Sequence, residues 1–375
     1  MNKIIKIRNS IERFLYKNIL KQLFFKFDPE YVHDSVTNIG VILGKFGPGR
    51  GMTRALLGFS HPSLEQSVAG IHFKNPVGLA AGFDKNARLT RILPEVGFGF
   101  EEVGSITGEP CEGNTGQRLW RLKDSQSLVV YYGLKNDGCE AIAERMNKLK
   151  FEFPIGISIA KTNSKDTVTE AEGIQDYVKA YATFRKIGVG DYFTINISCP
   201  NTFGGEPFTD PEKLDRLLKA IRAQDPHPGK PIFLKMPAEL TFETVDRIVE
   251  VSKKYDITGF ICTNLAKNRS NPMIKDSFVP DVGGMSGKVV QKLSDNLISH
   301  IYKKYGREFI MIGCGGIFTA EDAYKKIKKG ATLVQMITGL IFEGPQAVSS
   351  INAGLVDLMR KDGYHNISQA IGAEI

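Results

Sequence analysis

Eight short apolar runs recur along the chain: Asn75–Gly82, Phe100–Thr107, Pro154–Ala160, Tyr192–Ser198, Pro231–Met236, Gly259–Asn264, Phe309–Gly316 and Leu333–Leu340. Enough chain for a helix separates each from the next, and most end in a polar or glycine residue. Near-continuous apolar strands are what a parallel sheet covered on both faces requires, and eight in this rhythm predict a (β/α)8 TIM barrel, an α/β fold. Barrel chemistry sits at the C-terminal strand ends. Here those ends gather Gly82–Lys85, Ser105, Ser158, Asn196–Asn201, Lys235, Thr263–Asn264, Gly315–Gly316 and Thr338.

Ahead of the barrel the pattern changes. Residues 10–27 interleave Ile11, Phe14, Leu15, Ile19, Leu20, Leu23, Phe24 and Phe27 with bases, which predicts a basic amphipathic helix. Asp28-Pro29 marks the start of a second helix through Val32, Val36, Ile39 and Leu43, ended by the glycine-rich Gly44–Gly51. A short apolar stretch, Met52–Phe59, follows. The chain thus divides into an N-terminal helical segment, 1–60, and a barrel, 61–375. No run approaches the ~20 apolar residues that span a bilayer. The segment reads as a helical hairpin lying in a membrane interface, with bases toward anionic headgroups. A helical cap on the barrel floor or a dimer contact is the plainer reading, and a mitochondrial targeting segment a third.

With 375 residues and 42% hydrophobic content, the chain has the length for one barrel plus an appendage. The formal charge is +8, and residues 1–27 alone hold seven bases against Glu12. The barrel is therefore close to neutral, which removes the main support for nucleic-acid binding. Five scattered cysteines without a CxxC pair suit neither zinc nor a disulfide scaffold, and six histidines show no ligand spacing, so no metal site is expected.

Small residues Ala80, Ala81 and Gly82 let a flat ligand approach the backbone, with Lys85 supplying a cation beyond. Lys235 ends an apolar strand and should reach into the barrel mouth. Glycines at Gly315-Gly316 and the Thr338-Gly339 turn follow strands seven and eight, where barrel enzymes hold phosphate. Cys314 between the former reads as a packed core thiol. Cys199, flanked by Asn196, Ser198, Asn201 and Thr202 at a strand exit, reads as a catalytic thiol able to act as a base.

Asn75-Pro-Val-Gly-Leu-Ala-Ala-Gly-Phe-Asp-Lys85, Gly97-Phe-Gly-Phe-Glu-Glu-Val-Gly-Ser105, Asn196-Ile-Ser-Cys-Pro-Asn-Thr202 and Gly283-Gly-Met-Ser-Gly287 resemble the dihydroorotate dehydrogenase family, from about Phe27 to Gly344-Pro345. Phe27-Asp-Pro-Glu-Tyr-Val-His33 resembles its membrane-associated, quinone-reducing class. The resemblance implies an FMN barrel that oxidises dihydroorotate to orotate in pyrimidine synthesis and passes electrons to a quinone. It implies that Ala81, Gly82, Ser105, Ser158, Asn196, Lys235, Thr263, Gly287, Gly316 and Thr338 hold FMN. Lys85, Asn196, Asn201 and Asn264 would bind substrate, with Cys199 as base and Lys85 steadying developing charge. Residues 1–27 would touch the cytosolic face of a cytoplasmic or, in a eukaryote, mitochondrial inner membrane.

The sequence departs from that pattern. The quinone-reducing class carries serine as its base. Val130-Tyr-Tyr-Gly-Leu134 replaces an Asn-x-x-Gly-Phe segment, Ser158 an asparagine, and Leu265 a small hydroxyl residue. An unpaired substrate atom costs about 1–3 kcal/mol. Two other readings stay open: a paralogous FMN oxidoreductase for another cyclic amide or ene-carbonyl, and a catalytically silent flavin-binding barrel.

Overall fold

In the computed structural model, which describes residues 2–199, 204–225 and 229–375, the eight apolar runs are the eight strands of a closed barrel. They are β1 (Val77–Leu79), β2 (Phe100–Ile106), β3 (Ile155–Ile159), β4 (Tyr192–Asn196), β5 (Ile232–Met236), β6 (Gly259–Cys262), β7 (Ile310–Cys314) and β8 (Ala331–Met336). All neighbours pair in parallel, and the ring closes where Met336 of β8 meets Leu79 of β1. The predicted eighth strand ran too far: the apolar run continues past Met336, but Thr338–Glu343 is a short helix.

Alternation along the strands fills the barrel in layers. Phe100, Tyr192, Phe233, Ile261, Ile312 and Leu333 form a buried apolar layer, closed from below by Phe73 of the small hairpin Gln66–Phe73. The layer needs glycine opposite its large rings: a Cβ at Gly78 would lie 2.4 Å from the Phe100 ring, and one at Gly156 2.1 Å from that of Tyr192. Two residues further along the strands the interior turns polar. The buried Glu102 carboxylate accepts from Gln335 Nε2 at 2.9 Å and from Thr194 Oγ1 at 3.1 Å. Above this layer the barrel opens.

Three helices precede the barrel: α1 (Asn2–Leu15), running through a π-turn at Tyr16–Leu20 into Lys21–Phe24; α2 (Pro29–Lys45); and α3 (Gly47–Leu57). The first starts eight residues earlier than its pattern predicts. The second begins as expected, with Asp28 Oδ1 accepting from the N–H groups of Glu30 and Tyr31 at 2.9 and 3.0 Å. The glycine-rich stretch is not a loop. α2 runs to Lys45, and only Phe46 separates it from α3. Gly49 makes that return possible, because a Cβ there would lie 2.6 Å from the Leu43 carbonyl oxygen.

The first helix is oriented opposite to the simplest membrane picture. Its polar side faces the barrel: Lys6 pairs with Asp357 at 2.5 Å, and Arg13 and Lys17 both pair with Glu343 at 2.7 Å. Arg8 reaches the Ser349 hydroxyl at 2.7 Å and the Gly58 carbonyl at 3.1 Å. Three of the seven bases in residues 1–27 thus pair with barrel acids, and Arg8 is held by neutral acceptors. The apolar side, with Ile7, Ile11, Phe14, Ile19 and Leu23, is exposed, as are Ile39 and Ile42 of α2. No helix among the described residues is long and apolar enough to cross a membrane.

Candidate active site

One cavity occupies the barrel mouth and gathers residues from the ends of seven of the eight strands, all but β3. Its walls include Ala81, Gly82, Lys85, Ser105, Asn196, Cys199, Lys235, Thr263, Asn264, Gly287, Gly316 and Thr338. Two residues singled out from sequence do not join them. Ser158 is fully buried behind the wall, its hydroxyl 2.7 Å from that of Ser105. Asn201 lies outside the described residues. Among the described residues no group of three or more His, Cys, Asp or Glu side chains is placed to hold a metal ion.

The polar side chains are locked to one another before any ligand arrives. Asn196 Nδ2 donates to Ser105 Oγ at 2.8 Å, and Asn196 Oδ1 accepts from Asn264 Nδ2 at 3.2 Å. Asn264 Nδ2 also donates to the Ser198 carbonyl at 2.7 Å, and its Oδ1 accepts from Leu265 N at 2.9 Å. Thr263 Oγ1 donates to the Asn264 carbonyl at 2.7 Å. Such a chain fixes amide directions in advance, so little ordering remains when a ligand binds.

The cations come from two directions. Lys235, 4% exposed, rises from β5 beside Asn196 of β4. Lys85 follows β1, and its Nζ sits 3.4 Å from the centre of the Tyr132 ring. Burial lowers its pKa to about 8, although Glu30 and Asp34 of α2 oppose the shift. Beyond Lys85 the wall becomes apolar, with Leu119, Leu128 and Val130 from the hairpin Leu119–Val130, and Ile341 after β8. His33 of α2 completes that end, its Nε2 3.0 Å from the Phe83 carbonyl oxygen.

The cavity meets the demands of a flat, phosphate-bearing heteroaromatic. Gly82, Gly287 and Gly316 line it with φ of +114°, +90° and +73°, conformations open to glycine. A Cβ at Gly287 would lie 2.8 Å from Thr338 Cγ2. Gln335 also lines the cavity, and its buried Oε1 has no partner in the described structure, an acceptor fit for a ring N–H. Ser286 Oγ lies 2.8 Å from Thr338 Oγ1, adding a second hydroxyl.

Sequence reasoning missed several of these. Gln335 hides inside an apolar strand, and only its period-two position opposite Glu102 signals an inward side chain. Ser286 and Tyr132 lie outside the barrel strands, and His33 belongs to α2. Cys314, expected in the core, is half-buried and lines the cavity.

An eight-stranded α/β barrel with a glycine turn after β7, a helix start after β8 and a lysine- and asparagine-lined mouth is the frame of a barrel enzyme with its site at the C-terminal strand ends. A family profile for dihydroorotate dehydrogenase matches residues 63–359. Relatives called dihydroorotate dehydrogenase (quinone) include one from Christiangramia forsetii, 38% identical over 92% of this chain and 99% of its own length. Another, from Trichodesmium erythraeum, is 34% identical over 96% and 98%. The crystal structure of ligand-free DHODH from Eimeria tenella superposes with a TM-score of 0.83 at 28% identity, covering 92% of this chain and 99% of that one. The chain belongs to the dihydroorotate dehydrogenase family, in its quinone class.

Proposed function

We propose that this enzyme oxidises dihydroorotate to orotate in pyrimidine synthesis, using FMN and then a quinone as acceptors. The convergence of Lys85, Asn196, Cys199, Lys235 and Asn264 on one cavity carries the reading. Gly287, Gly316 and Thr338 would hold the FMN phosphate, and Ala81, Gly82, Ser105, Asn196, Thr263 and Lys235 its ring. Ser158 would act only through Ser105. FMN, when bound, would supply the acceptor for the hydride from substrate C6 and the electron link to a quinone. Cys199 Sγ takes the proton from C5. Asn196, Asn201 and Asn264 would pair with the amide and carboxylate edges of the substrate. Lys85 would hold its charge in a site from which water is largely excluded.

Residues 1–60 would serve as the membrane and quinone-access unit. The exposed apolar face of α1 and α2 supports this, together with the apolar cavity end beneath α2. The enzyme would then lie on the cytosolic face of a cytoplasmic membrane, or on a mitochondrial inner membrane in a eukaryote, held by its apolar side chains more than by its bases.

An anaerobic visible spectrum before and after adding dihydroorotate tests the assignment: the flavin should bleach. A second reading, a related FMN oxidoreductase for another cyclic amide, is favoured by Val130, Leu134 and Leu265, which put apolar wall where the family pattern has polar or aromatic groups. A yellow protein that stays oxidised with dihydroorotate would decide for it.

Lys85 predicts a pH dependence. With its pKa lowered to about 8, the ammonium is charged at neutral pH and lost as pH rises through that value. Binding of dihydroorotate to the resting enzyme should weaken above about pH 8, while Lys85→Arg should hold affinity into more alkaline solution. A wild-type Kd flat from pH 7 to 9.5 would remove the lysine from substrate binding.

A further inference from the structure

Lys85 is steadied by a ring rather than by an acid. Its Nζ sits 3.4 Å from the centre of the Tyr132 ring, and no carboxylate among the described residues forms an ion pair with it. Both residues line the cavity, Lys85 after β1 and Tyr132 just past the hairpin Leu119–Val130. Arg118, which precedes that hairpin, lies over the same ring with its Cζ 5.4 Å from the centre. Tyr132 is 9% exposed, and its buried hydroxyl has no partner among the described residues. What it offers its neighbours is the π face.

Two cations sharing one ring repel each other, so the arrangement needs an acid nearby. The helix α2 supplies it. Arg118 Nε donates to Glu30 Oε2 at 3.1 Å and its Nη2 donates to Glu30 Oε1, a bidentate pair. Its Nη1 donates to the carbonyls of Glu112 and Asn114 at 3.0 and 3.3 Å, which fixes the guanidinium on the barrel side. Lys135 Nζ stands 3.7 Å from Glu30 Oε1. Burial lowers the pKa of Lys85, Glu30 and Asp34 raise it, and Lys135 and Arg118 lower it. The remaining neighbours are committed elsewhere: His33 Nδ1 lies 3.0 Å from Asp34 Oδ1, and Asp84 Oδ1 accepts from Arg88 N at 2.9 Å. Both acids acting on Lys85 thus belong to α2, outside the barrel.

We infer that Glu30, Arg118 and Tyr132 are positioning residues for Lys85, so that α2 completes the substrate site of the barrel. The inference rests on the reading of Lys85 as the cation that binds substrate. The acid fixes the guanidinium, the guanidinium backs the ring, and the ring face keeps the ammonium in the mouth. A lysine already held in one place loses little freedom when a substrate oxygen arrives. Loosening α2 at Glu30 is therefore felt at the substrate.

The test makes two measurements on the full-length flavoprotein. One is the Kd of orotate, read from the flavin spectrum. The other is the pH midpoint for acetylation of Lys85 by acetic anhydride, read by peptide mass spectrometry. In the wild type that midpoint should fall at about 8. Glu30→Gln leaves the Asp28 cap of α2 in place; it should move the midpoint to lower pH and weaken orotate binding roughly threefold at neutral pH. Tyr132→Leu should weaken binding about tenfold, and Tyr132→Phe, which keeps the ring, should restore most of that loss. Merely structural residues would change melting temperature and flavin content and leave both the midpoint and the Kd in place. An unmoved midpoint in Glu30→Gln overturns the inference, even if Tyr132→Leu fails to fold. So does Tyr132→Phe binding orotate as weakly as a folded Tyr132→Leu. If instead Glu30→Gln moves the midpoint while Lys85→Met binds orotate like wild type, the substrate role of Lys85 fails and its hold by ring and helix stands.

Discussion

Cys199→Ala is expected to remain a yellow protein whose flavin dihydroorotate bleaches about 10²- to 10⁴-fold more slowly, the usual range for loss of a positioned general base. The thiol is half-buried at the end of β4, and removing one sulfur from the cavity wall leaves the strand pairing and the Asn196–Ser105–Asn264 network intact. Cofactor content and melting temperature should therefore stay near wild type, which separates lost chemistry from lost structure. Cys199→Ser is the informative companion. Its hydroxyl keeps the size and hydrogen-bonding capacity but ionises far less readily, so it should reduce flavin at an intermediate rate with a profile displaced to alkaline pH. Anaerobic stopped-flow at 450 nm reads both. An alanine variant that bleaches at the wild-type rate would take the base role away from Cys199.

Removal of residues 1–27 should release the enzyme from anionic vesicles and cut quinone turnover at least tenfold, with much smaller changes in flavin reduction by substrate. The magnitude follows from area. Ile7, Ile11, Phe14, Ile19 and Leu23 are each about half exposed or more. Covering those surfaces with acyl chains at about 1 kcal/mol each gives roughly 5 kcal/mol, a partition of several thousandfold. Truncation also strips Arg13 and Lys17 from Glu343, which is only 6% exposed, and so carries a folding penalty of its own. A triple Ile11→Ser, Phe14→Ser, Leu23→Ser variant avoids that, since all three side chains face outward. It should lose vesicle binding in a flotation assay and keep its melting temperature. Unchanged flotation and quinone turnover in both proteins would end the membrane assignment.

The barrel was legible because strands covered on both faces leave long apolar runs, and all eight fall where the runs are. Their ends were less legible. Past Met336 an apolar run continues while the backbone changes from strand to helix, and composition does not mark the change. Gly44–Gly51 misled for a related reason: glycines that open a loop and glycines that let two helices touch look alike until Gly49 is seen against the Leu43 carbonyl. In the site, cations, asparagines and glycines at strand ends could be read from position alone. The polar layer of Glu102, Thr194 and Gln335 could not, since its members pair across strands far apart in sequence. Periodicity revealed that α1 has two faces but not which one meets the barrel. Only Glu343 and Asp357, more than 300 residues away, decide that.

That long-range joint is uneven in its tolerance of sequence drift. Two cations share one carboxylate, so either Arg13 or Lys17 can be exchanged for a neutral residue while the other still neutralises Glu343. The acid has no such understudy: its loss would leave two like charges adjacent with nothing between them. Variation among natural copies of this joint should accordingly be freer on its helical side than at the single barrel position that receives it.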